Sequence, residues 1–326
     1  MATETFFAQK SANSRNSLLL VLVVCALLGV LGFVIGYAIT GSPGGSVVVT
    51  ALAFGAGILA SLGSWFVGDR LVLAASGAKQ VTEAQTPQLF NVVRELTVAA
   101  NIPMPAVYLI DDTAPNAFAT GRDPNHSSIA ITTGLLQKLD REELQGVIGH
   151  ELSHVRNFDI RFTLLVGVLV GSVALLSNFF LRFTFWGGGR RSSNDRGSGG
   201  GGLQAIMFVV GIILAILAPV AVRLVQLAVS RQREYLADAS SVELTRNPAG
   251  LERALAKIAS DQEVLEVANP ATQHLYFTNP IKKFEERSSS MFSTHPAIVD
   301  RINRLRELSG EAPIDPAELA ALRGLD

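Results

Sequence analysis

Cysteine is nearly missing from this chain: Cys25 is the only one among 326 residues, and it lies in an apolar run. No intramolecular disulfide can form, and no thiolate cluster can hold a metal. Charge is scarce as well. Only 17% of residues are charged against 48% hydrophobic, an apolar excess that points to a membrane protein. Neither sign dominates, with 27 Lys and Arg against 28 Asp and Glu, so nothing suggests a nucleic-acid partner. There are five His, and with one Cys any metal site must be completed by carboxylates.

The chain does contain His150-Glu151-Leu152-Ser153-His154. On a helix, residues four apart lie on one face, so His150 and His154 can aim two imidazoles at one ion. Glu151 sits about 100° round from His150, within reach of a water at that ion without ligating it. This is the helix pattern of zinc hydrolases, with two ligands and a general base in a single turn. The surrounding residues favour a helix: Asp140 and Glu143 read as an N-cap and its capping-box partner, ahead of Leu144, Val147 and Ile148.

Residues 1–16 are polar and carry Lys10 and Arg15. Ser17–Ile39 is free of charge, and its 23 residues make about 34 Å of helix, enough to span a bilayer. After an uncharged turn, Thr40–Ser46, comes a second apolar run, Val47–Val67, so residues 17–68 read as a transmembrane hairpin. The basic residues before it and the uncharged turn within it place the N-terminus, and the chain after Asp69, in the cytoplasm.

Residues 69–159 read as the first part of an α+β, mostly helical catalytic domain with a small sheet. Thr86-Pro87 starts a helix with Leu89, Val92, Val93, Leu96 and Ala100 on one face. Val107–Ile110, an extended piece after the turn within Ala114–Gly121, and Ser128–Thr132 read as short strands. The helix carrying the two His shows no stop before the charge-free run Phe162–Leu181. Another such run, Leu203–Val222, follows a Gly/Arg-rich loop at 182–202, so residues 160–224 read as a second hairpin and about four transmembrane helices result. Arg182, Arg190, Arg191 and Arg196 against Asp195 give that loop a net +3, which opposes two full spans by the positive-inside rule. A hairpin entering the bilayer part-way is the alternative, and both keep its two ends on one side.

Residues 225–326 read as the second part of the catalytic domain. A zinc site of this type needs a third protein ligand. Glu234 is the candidate, and Asp238, one turn further along, can accept the other N–H of a ligating His. The alternative is an exposed, salt-bridged surface made with Arg231 and Arg233. A last helix carries Ile298, Ile302 and Leu305 on one face.

Five ordered motifs make the chain resemble the HtpX-like membrane metallopeptidases, of the same broad group as the eukaryotic CAAX prenyl endopeptidase Ste24. They are the N-terminal two-span hairpin, Ala114–Gly121, Gly149–Val155, Ser230–Ala239 and Thr294-His295-Pro296. The resemblance implies a membrane-anchored, zincin-like domain with one zinc ion per chain held by His150, His154 and Glu234. It implies Glu151 as catalytic base, Asp238 behind a ligand, and residues 116–120 (Asn116, Ala117 and Phe118 foremost) as a strand edge for extended substrate. It further implies that His295 donates a hydrogen bond to the oxyanion, although a His before Pro at a helix start is by itself a structural feature. His126 and His274 read as surface or structural residues.

The function so implied is endopeptidase cleavage of misfolded membrane proteins or unfolded polypeptides at the cytoplasmic face of the cell membrane, as protein quality control. An intramembrane protease is disfavoured because charged residues 140–143 precede the motif and Arg156, Asp159 and Arg161 follow it. Cleavage of prenylated peptides, or a membrane scaffold or chaperone with a structural zinc, are the other readings. Nothing marks a prenyl pocket, and a closed structural site lacks a Cys to complete it. The sequence leaves oligomeric state open.

Overall fold

The computed structural model of the chain describes residues 6–182, 201–261, 263, 277, 296–315 and 318. In chain order these form α1 (Phe6–Thr40), α2 (Pro43–Ala75), β1 (Lys79–Gln80), α3 (Pro87–Ala100), β2 (Ala106–Ile110), β3 (Ala117–Asp123) and β4 (His126–Thr132). There follow α4 (Thr133–Lys138), α5 (Arg141–Arg156), α6 (Asp159–Arg182), α7 (Gly201–Thr245), α8 (Pro248–Ser260) and, last, α9 (Ile298–Ser309). They divide into two compact units, one of residues 14–65 and 164–226 and the other of 66–163 with 227 onward and the first residues of the chain.

The first unit is built of apolar helix. Gly41, at φ 70°, takes the left-handed conformation that ends α1, and Pro43 opens α2. A Cβ on Gly36 would lie 2.7 Å from the Ser46 Cα, so glycine is what lets the two helices close on each other. Val24, Leu28, Leu31, Ile35, Val173 and Phe180 are buried within this unit, whereas Leu52, Leu59 and Leu175 are well exposed. Among the described residues two stretches are long and apolar enough to cross a membrane, Leu22–Thr40 (19 residues) and Gln204–Ala221 (18 residues), while Pro43–Leu59 is apolar but shorter. The other two runs expected to span do form helix, in α2 and α6.

In the second unit the capping box at Asp140 is formed. The Asp140 carboxylate accepts from the Glu143 N–H at 2.9 Å, and the Glu143 carboxylate accepts from the Asp140 N–H at 2.9 Å. The α5 helix it starts is buried between α3, α8 and the sheet, where Leu144, Val147, Ile148, Leu152 and Val155 join Leu89, Val92, Val93 and Leu96 of α3 and Leu251 and Leu255 of α8. Closeness to α8 again depends on glycine: a Cβ on Gly146 would stand 2.7 Å from the Leu251 backbone.

The sheet has the order β1-β2-β4-β3, with β2 and β4 parallel and the other two pairings antiparallel. Strand alternation sends Ala117, Ala119, Ile129 and Ile131 to the face that packs on α5, and Phe118 and Ala130 to a smaller cluster with Leu73, Ile110 and Ala114 on the other. β3 is therefore an outer strand lying beside α5.

One expectation is corrected. The helix of the two His does not run on into the apolar hairpin: α5 ends at Arg156, Asn157 caps it, Phe158 takes φ 60°, and α6 begins afresh at Asp159. No Gly or Pro announces this break, which is why the sequence reads as continuous. The Gly/Arg-rich loop falls outside the described residues over 183–200, as do His274 and His295.

Candidate metal centre

α5 and α7 bring the candidate ligands together inside the second unit. His150 and His154, one helical turn apart, face each other with their Nε2 atoms 3.1 Å apart. The Glu234 carboxylate lies 3.6 Å from the first of these and 3.5 Å from the second. A tetrahedral zinc with bonds of about 2.0–2.1 Å spaces its ligand atoms by about 3.3–3.4 Å, and the three separations bracket that value. Among the described residues these three form the His/Cys/Asp/Glu cluster able to hold a metal ion.

The hydrogen bonds behind the rings explain why a cation fits. His150 Nδ1 faces Asp238 Oδ1 at 2.8 Å, and His154 Nδ1 faces Asp159 Oδ2 at 3.0 Å. Carboxylates accept, so each Nδ1 carries the proton and each Nε2 presents a bare lone pair. Two lone pairs aimed at one point repel unless positive charge lies between them. Burial opposes charge on both rings, yet Asp238 and Glu234 outweigh it at His150, and Asp159 and Glu234 do so more strongly at His154; both pKa values are raised, so a proton competes with a metal cation for each Nε2.

Glu151 is buried beside the pair. Burial raises its pKa, against the lowering pull of His150 and His154, and the Ala119 N–H of β3 donates to its carboxylate. Burial therefore favours the protonated carboxyl more than it would in water.

The profile of peptidase family M48 matches residues 83–309. The chain belongs to this family. Its relatives include a protease HtpX homolog of Streptococcus gordonii, 44% identical over 93% of this chain and 99% of that protein, and one of Ligilactobacillus salivarius, 41% identical with the same coverage. Among solved structures, S. mikatae Ste24p aligns with 78% of this chain and 57% of its own at 17% identity and a TM-score of 0.45. This M48 peptidase is thus a metallopeptidase, and it carries two helical stretches long and apolar enough to cross a membrane.

At the start of the peptidase's β3 edge, Asn116 (just before the strand), Ala117 and Phe118 are placed unequally. Asn116 and Phe118 turn their backbones toward β4, in register with Thr132 and Ala130, and the Phe118 ring is fully buried on the far face. Ala117 and Ala119 turn theirs to the outer edge. There Asn116 Oδ1 accepts from the Ala117 N–H at 3.0 Å, and the Ala117 carbonyl accepts from the Phe277 N–H at 2.8 Å.

Four residues of the centre escaped sequence reading. Arg301 of α9 is fully buried; its Nη2 and Nε donate to the two Asp238 oxygens at 2.6 and 2.8 Å. Phe277 packs edge-on against the His150 ring, with centroids 4.9 Å apart, and Arg301 stacks over it at 4.7 Å. Asp159 stands behind His154, and Arg233 donates to the other Asp159 oxygen. For Arg301 a signal existed: it falls in the stripe Ile298, Ile302 and Leu305, where a charge is out of place unless it has a buried partner. Asp159 and Arg233 carried none beyond being charged.

Proposed function

We propose that His150, His154 and Glu234 hold one zinc ion, with Glu151 as general base and Asp238 fixing the His150 tautomer. Zinc, when bound, supplies Lewis acidity that polarises a peptide carbonyl and brings the pKa of water toward about 7. The chain's own residues do the rest. Glu151 takes the proton from the attacking water and passes it to the leaving amine. Asp238, ion-paired to Arg301, accepts the His150 Nδ1–H and holds the ring so that Nε2 faces the ion. His295 supplies a hydrogen bond to the developing oxyanion.

Substrate adds as an extended segment along the outer edge of β3, over Ala117 and Ala119. The edge groups already have partners, Phe277 and Asn116 at Ala117 and Glu151 at Ala119, so an added strand must displace them or stop short. The substrates are membrane proteins or unfolded polypeptides reached at the cytoplasmic surface, a quality-control role. Two observations favour that placement: the site lies on α5 and on the part of α7 beyond its apolar stretch Gln204–Ala221, and Lys10 and Arg15 precede the first span.

The observation that carries the reading is the convergence of three ligand atoms whose two imidazoles are each locked, from behind, in the tautomer a metal requires. The test is purification of the full chain in detergent, with metal analysis and digestion of casein with and without chelator. Zinc near one per chain and chelator-sensitive cleavage are expected. Bound zinc without chelator-sensitive cleavage would instead indicate a scaffold.

A further inference from the structure

Asp238 was expected behind one imidazole, but the structure holds the other in the same way. Asp159 uses Oδ2 to accept from His154 Nδ1 at 3.0 Å and Oδ1 to accept from Arg233, whose guanidinium also lies over the Phe162 ring at 3.7 Å. Asp159 and Arg233 are both buried. Each metal-facing imidazole is therefore backed by a carboxylate, and each carboxylate by an arginine: Arg301–Asp238–His150 and Arg233–Asp159–His154.

The backbone is bent to make the second of these. Were α5 continuous, residue 159 would sit about 140° round and about 7.5 Å along from His154, out of reach of its ring. The break at Asn157 and Phe158 returns it. Phe158 at φ 60° is a bulky side chain in the left-handed region, a strained conformation that persists where the surroundings impose it. Arg233 precedes Glu234 directly, so the buried pair also ties the start of α6 to the residue beside the third ligand.

We propose that Asp159 is a positioning residue of the metal centre: it accepts the His154 Nδ1–H and aims that ring at the ion, while Arg233 supplies the counter-charge that a buried carboxylate needs. The proposal rests on His150, His154 and Glu234 being the ligands. A bland alternative exists, that Asp159 and Arg233 are an ion pair which only joins two helices.

Two double variants separate these readings in the full chain in detergent. Both D159L/R233M and D159N/R233M remove the ion pair; only the second keeps an acceptor for His154. Zinc affinity is measured by chelator competition, and the ligand field by the cobalt visible spectrum. A positioning role predicts zinc binding 10–100-fold weaker in D159L/R233M, with an altered cobalt spectrum, and recovery of most of that loss in D159N/R233M. Equal zinc affinities in the two double variants would overturn the proposal, whether both are weak or both match the wild type. His154→Ala serves as the control for the reading beneath it. If the wild type binds zinc no more tightly than this variant, the metal centre itself is wrong, and the positioning role falls with it.

Discussion

Arg301→Met tests how the centre is held together. The guanidinium is fully buried and makes two charged hydrogen bonds, at 2.6 and 2.8 Å, to an Asp238 carboxylate that is itself buried. Methionine keeps much of the volume and the packing against Phe277 but leaves Asp238 with His150 alone. Charged hydrogen bonds contribute about 1.5–3 kcal/mol each. Removing one partner of a buried pair costs about 3–5 kcal/mol, because the remaining charge stays desolvated. At about 2–4 °C per kcal/mol for a unit of 150–250 residues, the thermal midpoint in chelator should fall by about 6–20 °C. Adding Asp238→Asn to the variant removes the stranded charge and should recover more than half of that loss. Thermal unfolding of the full chain in detergent, followed by circular dichroism, is the assay. A midpoint shift below about 2 °C for Arg301→Met, which corresponds to less than about 1 kcal/mol, would show that the Arg301–Asp238 pair is not a buried, mutually dependent one.

Other substitutions probe the remaining parts of the site. Glu151→Gln should bind zinc as the wild type does and lose about 10²–10⁴-fold in kcat, read from casein cleavage at saturating metal; wild-type turnover would remove Glu151 from the mechanism. Zinc at about 100 times its dissociation constant should stabilise the wild type and Glu151→Gln by about 2.7 kcal/mol but leave the His150→Ala midpoint unmoved. Asp140→Ala deletes the side chain that accepts from the Glu143 N–H at the start of α5 and should cost about 0.5–2 kcal/mol in a urea titration. Gly146→Ala drives a methyl into the Leu251 backbone, 2.7 Å away, and should cost about 1–3 kcal/mol with chelator-sensitive cleavage retained in the folded fraction.

The chemistry was legible because it is local. His150, Glu151 and His154 occupy one turn of a helix whose start is written in Asp140 and Glu143, and helical geometry alone puts the three side chains where the proposed reaction needs them. Glu234 and Asp238 share a turn of α7 in the same way, and the period-2 alternation of the strands followed from short apolar runs. Buried charge pairing was not legible. Asp238 meets Arg301 across 63 residues, and Asp159 meets Arg233 across 74, so only the packing of α6, α7 and α9 against α5 decides which charges face inward. The break at Phe158 belongs to the same class, since nothing in Asn157-Phe158-Asp159 forces a turn until an imidazole and a guanidinium wait on either side of Asp159. The sequence alone determined which residues are candidates to bind a metal and act as base, because those lie within single helical turns. Tertiary structure decided what locks the imidazoles, because a desolvated charge finds its partner only once the fold has closed around both.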